Sequence, residues 1–291
     1  MPLPLAGVRV IDLTNVVAGP LASYQMGMLG AEIIKIETPG TGDLSRKMGA
    51  DAALGAQLMG ASFCATNAGK KSVTLNLKRP EAKEVFLRMV RDADVVLENF
   101  RPGTMKKLGI DYPVLKAANP GIVYCAVSGF GQEGPLAPRP SYDQIIQGFS
   151  GIMSVTGDEH TAPMRCGYLA CDAMGAITAA FAVCAALVRK RATGEGEFID
   201  VAMLDATLAS MACWIVSNYL NVGAAPKPMG NENHSAAPSG TYRTGDGLIN
   251  IVNNEQKQFE ALSAAVGHPE WCADPRFARS EEHTSELQSR E

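Results

Sequence analysis

Cysteine pairs, metal-ligand spacings and strong charge are all missing from this 291-residue sequence. Its seven cysteines include no Cys-x-x-Cys pair and its four histidines have no ligand spacing. We therefore expect free thiols, and neither a disulfide framework nor a metal site. The net charge of -4 argues against a nucleic-acid surface, because phosphate binding needs a basic patch. No signal sequence opens the chain, so we expect a cytoplasmic protein.

Nucleotide-binding motifs are also missing where they would be expected. The turn after the first predicted strand reads Val-Val-Ala-Gly-Pro-Leu and lacks the Gly-x-Gly-x-x-Gly phosphate loop. Glu37 ends the second predicted strand, where dinucleotide folds often hold a ribose. Without the glycine loop, generic packing of strand and helix is the better interpretation, and we expect no nucleotide, metal or redox cofactor.

A single carboxylate stands at the front of a long run of small apolar residues. Asp172 is the only acid between residues 170 and 188, and residues 189–191 close the run with three basic side chains. A membrane span is not expected, because a charge inside one costs about 2.5–3.5 kcal/mol and alanines offset little of it. Two compatible interpretations remain. Asp172 is the N-cap of a helix, or a reactive group held where water is scarce.

Short apolar strands alternate with helical segments along most of the chain. Strands are predicted at residues 8–13, 32–37, 72–77, 94–97, 122–127 and 198–201, and helices at residues 20–29, 81–92, 172–191 and 205–220. This alternation predicts an α/β fold, with a parallel sheet covered by helices in a large domain over residues 1–222. Residues 223–239 are predicted to be a linker, and residues 240–278 to begin a smaller α+β domain with a hairpin (240–252) and a helix (256–266).

Eight local strings, taken in order, resemble one protein family. They lie at residues 30–43, 71–78, 94–103, 128–135, 193–197, 200–205, 269–271 and 274–277. Tyr142-Asp143 and the helix that begins near Asp172 fall between them, again in family order. The chain resembles the class III CoA-transferases, which include formyl-CoA and carnitine CoA-transferases, from about Leu5 to Phe277. The resemblance implies a Rossmann-like large domain and interlocked homodimers.

The resemblance also implies a chemical role for Asp172. It matches the family's catalytic aspartate, which forms an anhydride with the acyl group of a CoA thioester and then an aspartyl-CoA thioester. Tyr142 and Asp143 are expected to support it. The substrates implied are an acyl-CoA and a carboxylic acid, so coenzyme A enters as part of a substrate and no separate cofactor is expected. Neither a nucleic acid nor a membrane is an expected partner.

CoA carries phosphates, an adenine and a long pantetheine arm, so its site needs cations and an apolar groove. The positions that match family CoA contacts or their near neighbours are Val16, Leu75, Lys78, Asn99, Phe100, Arg101 and Lys107. For each of the three cations, a solvated surface charge is the competing interpretation.

Two departures from the formyl type bear on the substrate. This chain has Thr38 where those members have arginine, and Val17 where they have glutamine, which argues against formyl or oxalyl substrates. An acyl-CoA racemase of the same superfamily is one alternative, but racemases have a histidine where this chain has Tyr142. An inactive CoA-binding homologue is the other alternative, and an intact Asp172 argues against it.

The end of the chain reads differently from the rest. Residues 279–291 resemble the translation of a sequencing adapter, so we exclude them from the fold prediction. Family members continue further and return to complete the large domain. On this basis we expect a C-terminally truncated and inactive transferase whose native dimer is interlocked.

Overall fold

The computed structural model describes residues 1–233 and 236–277 of the chain. Two compact units divide these residues. The first unit combines Met1–Ile152 with Cys166–Ala224, and the second combines Met153–Arg165 with the chain from Ala225 onward.

The two units differ from the predicted domains in two segments. Residues 225–239 were predicted as part of a linker, and the structure groups them with the second unit. Residues 153–165 were expected in the large domain, and the structure groups them with the second unit. One reason is a backbone hydrogen bond of 2.7 Å from the Gly230 amide to the Gly157 carbonyl. The predicted adapter-like tail (279–291) lies outside the described residues.

The first unit contains a six-stranded parallel sheet. Its strands are β1 (Arg9–Asp12), β2 (Glu32–Glu37), β3 (Lys71–Thr74), β4 (Val95–Glu98), β5 (Val123–Ser128) and β6 (Phe198–Ala202). They lie in the order β3-β2-β1-β4-β5-β6 with every pair parallel. This order is that of a doubly wound Rossmann-like sheet, so the predicted fold class is confirmed. The second unit has the predicted hairpin, β7 (Gly240–Arg243) and β8 (Leu248–Ile251).

Eleven α-helices connect these strands within the described residues. They are α1 (Ala18–Met28), α2 (Ala52–Ala56), α3 (Ala61–Asn67), α4 (Pro80–Arg91), α5 (Thr104–Leu108), α6 (Tyr112–Ala118), α7 (Asp143–Ser150), α8 (Ala170–Thr193), α9 (Met203–Ser210), α10 (Ser217–Val222) and α11 (Gln256–Ala265).

Alternation along the strands gives the sheet two buried faces. In β4, Val95 and Leu97 belong to the core that α1 and α8 cover, whereas Val96 belongs to the core on the opposite face. Successive side chains of a strand point to opposite faces, so a continuous apolar run fills both cores at once. Phe86 of α4 and Leu115 of α6 complete the second core and are fully buried.

The apolar run after Asp172 forms α8. By length and composition alone, this helix is apolar enough to cross a membrane. In the structure its residues Ala176, Ala179 and Val183 are fully buried and pack with the strands and α1 in one core. On its other side Ile177, Phe181 and Val188 are exposed, so α8 packs into the core along one side.

The predicted helix over residues 205–220 is wrong in its middle. The helix α9 ends at Ser210, and α10 begins only at Ser217. Between them, Cys213 and Trp214 leave the helical region, and Trp214 has a φ of 72°. This backbone interrupts the hydrogen-bond ladder, although no glycine or proline marks the break in the sequence.

Candidate active site

A cavity of about 220 Å³ opens at the carboxyl ends of β1, β4 and β5 in the first unit. The strands β1 and β4 are neighbours, and the sheet order reverses between them. Connections from two such strands run to opposite faces of the sheet and leave a crevice, where ligands of open α/β sheets commonly bind. The cavity is lined by residues 15–18, 99–102, 127–129, 137, 139–142, 172 and 203.

Asp172 reaches this cavity from the start of α8. It is the third residue of the helix, which begins at Ala170 after the N-cap Leu169. The interpretation of Asp172 as the N-cap is therefore wrong, because its own backbone is already helical. Its side chain is half-buried, and within the described residues no donor gives its carboxylate a hydrogen bond. The carboxylate thus remains open to the cavity.

Asp143 supplies the cap that α8 lacks. One of its carboxylate oxygens accepts hydrogen bonds from the amides of Cys171 (2.8 Å) and Asp172 (3.1 Å). The other accepts from Nε2 of Gln147 at 2.6 Å, and the Asp143 side chain is buried. Free amides at a helix start favour an anion, which explains how a buried carboxylate is accommodated here. Asp143 fixes the position from which Asp172 projects.

The environment of Asp172 disfavours its ionised form. Burial raises the pKa of Asp172 from 3.8 to about 7, and the nearby negative charge of Asp143 adds to the effect. The start of α8 acts in the opposite direction, because a helix N-terminus stabilises an anion. Burial and charge repulsion outweigh the helix, so Asp172 titrates close to neutral pH.

The turn after β1 forms one wall of the cavity and has an unusual backbone. Val16 has a φ of 68°, a left-handed conformation that costs a β-branched residue about 1–2 kcal/mol. Asn99 holds the neighbouring residue with two hydrogen bonds of 2.8 Å, one to the Asn15 carbonyl and one from the Asn15 amide. The Asn99 side chain, which follows β4, therefore fixes the backbone of Asn15, which follows β1.

Buried charges lie behind this wall. Three ion pairs of 2.9, 3.0 and 2.6 Å join Lys35–Asp43, Lys70–Asp12 and Arg46–Glu37. Burial lowers the pKa of Lys70 to about 8, although its carboxylate partner opposes that shift. Burial alone would raise the pKa of Glu37, but hydrogen bonds from Arg46, Ser72 and a backbone amide hold it at about 2. These pairs fix the carboxyl ends of β1 and β2.

Another buried acid, Glu98, lies behind the turn that follows β4. Glu98 ends β4 and accepts hydrogen bonds from the Phe100 amide (2.7 Å) and the Tyr124 hydroxyl (3.1 Å). Burial raises the pKa of Glu98 to about 7 in spite of these bonds. Beyond Phe100 the exposed Arg101 lines the cavity, as does the exposed Arg139, whose guanidinium lies 6.0 Å from the ring of Phe149. Two cations thus stand at the entrance.

The structure brings most of the predicted site residues together. Val16, Asn99, Phe100, Arg101 and Tyr142 all line the cavity with Asp172, and Asp143 lies directly behind it. Tyr142 is 67% exposed, so its ring can move without disturbing the core.

Three predicted CoA contacts lie outside the cavity lining. Leu75 is half-buried and packs against the core on the α4 side of the sheet. Lys78 follows β3 and Lys107 lies in α5, and both are exposed. Their roles stay predictions.

Several lining residues were not predicted from the sequence. Arg139 adds the second cation, Met203 contributes an apolar wall, and Ser128 has a buried hydroxyl with no hydrogen-bond partner among the described residues. Ser128 lies inside one of the eight strings, which was the available signal. Met203 likewise lies inside one of the eight strings, at the start of α9. Nothing local in the sequence marks Arg139, because only the fold brings it to the carboxyl ends of these strands.

The fold and the cavity define an α/β protein whose site suits an acyl group on an anionic carrier, with one open carboxylate facing it. Comparison with known proteins agrees with this class. The model of CoA-transferase family III matches residues 5–290, and the chain belongs to this family. The matched range includes residues 279–290, so the foreign origin of the tail stays a prediction.

Curated relatives and a solved structure show the same likeness. The chain is 40% identical to succinate–glutarate CoA-transferase of Agrobacterium fabrum, over 94% of this chain and 69% of that protein. It is 41% identical to acetyl-CoA:oxalate CoA-transferase of Acetobacter aceti, over 95% and 70% respectively. The crystal structure of a CAIB/BAIF family protein from Brucella suis superimposes with a TM-score of 0.83 at 35% identity, covering 99% of this chain and 76% of that one.

Proposed function

We propose that this protein transfers CoA from an acyl-CoA to a carboxylic acid through covalent intermediates on Asp172. The observation that carries the proposal is an open, half-buried carboxylate in a cavity flanked by two arginines. A carboxylate is a weak nucleophile in water, and burial with a pKa near 7 makes Asp172 more reactive once it is ionised.

The reaction consists of four exchanges at acyl carbons. An Asp172 oxygen attacks the donor thioester, the C–S bond breaks, and CoA leaves as a thiolate while an acyl-aspartyl anhydride forms. The thiolate attacks the Asp172 carbonyl carbon, which releases the donor acid and gives an aspartyl-CoA thioester. The acceptor carboxylate attacks that thioester, the C–S bond breaks, and CoA leaves again as a thiolate while a second anhydride forms. The thiolate then attacks the acceptor's acyl carbon, which gives the new acyl-CoA and restores the Asp172 carboxylate.

Each step exchanges one activated carboxyl derivative for another, and no net proton is consumed. Covalent catalysis of this kind divides one difficult transfer into easier ones. The positive end of α8 stabilises charge near Asp172, and the fixed Asp143 contacts keep the nucleophile in one position. No metal or redox group is needed for this sequence of steps.

The cavity has room for the acyl and thioester end of a substrate. Arg101 and Arg139 are suited to the phosphates of CoA, because guanidinium groups bind phosphate oxygens in pairs. We extend the CoA site to Leu75, Lys78 and Lys107, whose residue types fit a groove for the rest of the carrier. A cytoplasmic homodimer is part of the same proposal.

A racemase is the alternative activity that the site argues against most directly. Racemisation at an α-carbon needs two groups that exchange a proton near neutral pH. Tyr142 stands where a racemase has histidine, so the imidazole that would be one of these two groups is missing from the cavity lining. Incorporation of deuterium at the α-carbon, without transfer of CoA, would select the racemase.

The decisive experiment combines turnover with trapping of the intermediate. Succinyl-, glutaryl- and acetyl-CoA are incubated with succinate, glutarate or oxalate, acids that occur in the names of the relatives, and new thioesters are identified by mass. Hydroxylamine added with acyl-CoA should convert Asp172 to a hydroxamate. Asp172→Ala should abolish exchange and trapping while CoA still binds.

Asp205→Asn is the matched control, because Asp205 is also an acid in the first turn of a helix but is exposed outside the cavity. It should leave exchange unchanged. Normal turnover by Asp172→Ala would refute the nucleophile. A protein that binds CoA but exchanges no donor would instead be the inactive homologue, or the inactive chain that the sequence analysis expects.

A further inference from the structure

The wall of the cavity formed by residues 14–16 has its backbone polar groups held by side chains from elsewhere in the chain. Asn99 satisfies both groups of Asn15, as described above. The groups on either side, the Thr14 carbonyl and the Val16 amide, are held by a single buried ion pair. We call residues 14–16 the wall turn.

Lys35 and Asp43 form that ion pair and contact the wall turn from both ends. Lys35 Nζ donates to the Thr14 carbonyl at 2.7 Å and lies 2.9 Å from an oxygen of Asp43. The other oxygen of Asp43 accepts the Val16 amide at 3.1 Å and the Ser45 amide at 2.9 Å. The Lys35 and Asp43 side chains are 1% and 0% exposed. The pair thus connects the end of β2 to the wall turn without contact with solvent.

Stability alone gives little reason for such a pair. Removing two charges from water costs free energy, and this cost can cancel the gain from their attraction. Proteins in which apolar residues of similar volume replace such a pair are often as stable or more stable. What an apolar pair cannot do is donate to the Thr14 carbonyl and accept from the Val16 amide. The left-handed Val16 backbone is strained, and it persists only if its surroundings determine it.

We propose that Lys35 and Asp43 are positioning residues for the reaction, which hold the wall turn in the conformation that faces Asp172. The inference rests on the proposed function for its kinetic part. Neither residue lines the cavity, so each acts through the wall turn rather than on substrate. Loss of the pair should therefore disturb the geometry of the reacting groups more than the binding of CoA.

The test uses Lys35→Met and a double variant, Lys35→Met with Asp43→Leu. The double variant removes both charges together, so it should fold without an unpaired buried charge. Lys190→Met is the matched control. It removes a lysine from the 2.7 Å ion pair with Asp94. This pair lies at the amino end of β4, whereas the cavity lies at the carboxyl ends of the strands. Each protein is assayed well below its measured melting temperature.

For the single and double variants we expect kcat to fall about 10- to 100-fold, since small displacements of reacting groups have effects of this size. The KM for acyl-CoA should stay within about threefold, because binding contacts are retained. The control should keep its kcat. A folded double variant with the kcat of the unmodified protein would overturn the proposal.

Amide hydrogen exchange gives a second readout that needs no turnover. The peptide containing residues 13–18 should exchange about tenfold faster in the double variant, and at the unmodified rate in Lys190→Met. Unchanged protection of that peptide also overturns the proposal. If the unmodified protein transfers no CoA, the proposed function fails, and the exchange comparison still decides whether Lys35 and Asp43 hold the wall turn.

Discussion

Replacement of Asp172 by asparagine should make the protein more stable, and by an amount that depends on pH. The fold raises the pKa of Asp172 from 3.8 to about 7, chiefly by burial, so the folded chain binds this proton more tightly than the unfolded chain does. Protonation of Asp172 therefore stabilises the folded state at acidic pH, and this stabilisation is lost as the pH rises through 7. Asparagine carries no charge and has no such loss.

The size of the effect follows from the same pKa. A pKa near 7 in place of 3.8 corresponds to about 4 kcal/mol, and we expect about 2–4 kcal/mol because one side of the carboxylate meets the solvent-filled cavity. The difference in free energy of unfolding between Asp172→Asn and the unmodified protein should be small at about pH 4, grow up to about pH 7, and stay constant above about pH 8.

Urea unfolding of both proteins at a series of pH values measures this difference. Glu98 also has a raised pKa of about 7, but it is present in both proteins and cancels in the comparison. A difference that does not change with pH would refute the reasoning, because it would mean that Asp172 ionises equally well in the folded and unfolded chains.

Three further predictions follow from the same contacts. Glu37→Gln should show the opposite pH dependence, with its largest loss of stability near neutral pH and little loss below about pH 2, since the pKa of Glu37 is lowered from 4.5 to about 2 in the fold; urea unfolding measures it. Asp143→Asn should lower the pKa of Asp172 and move the acidic limb of the kcat/KM profile, expected near pH 7, to lower pH; an unmoved limb contradicts this. Gly129→Ala should cost about 1–3 kcal/mol and weaken CoA binding in calorimetry, because the new Cβ would lie 1.8 Å from Oγ of Ser141 in the cavity wall; unchanged binding contradicts this.

The sequence was sufficient to predict the parallel sheet and to single out Asp172, which lines the cavity in the structure. Apolar runs bounded by turn residues located five of the six strands to within about a residue at each end. The exception was the edge strand β3, which ends at Thr74 rather than at residue 77 and is exposed throughout. An edge strand has too few buried residues for apolar periodicity to define its end.

Contacts between distant segments could not be predicted. Asp172 stood out because it is a lone acid in an apolar run. Its partner Asp143 lies 29 residues earlier and was expected only from the family resemblance, because no local pattern joins the two residues. Lys35 lies between isoleucines in β2, and nothing in that strand identifies Asp43 as its partner. The break at Trp214 arises from the backbone itself, and helical periodicity does not detect it.

The wall turn has a consequence for how this family can diversify. Its shape is maintained by Asn99, Lys35 and Asp43, which lie outside the turn, so the next residue along the chain has no part in that task. Val17 is among the residues that line the cavity, and it is the N-cap of α1 without a side-chain hydrogen bond. Mutation at position 17 can therefore change the shape of the cavity while the wall turn keeps its conformation. Single substitutions at this position can then alter which carboxylic acid fits the site without a compensating change elsewhere.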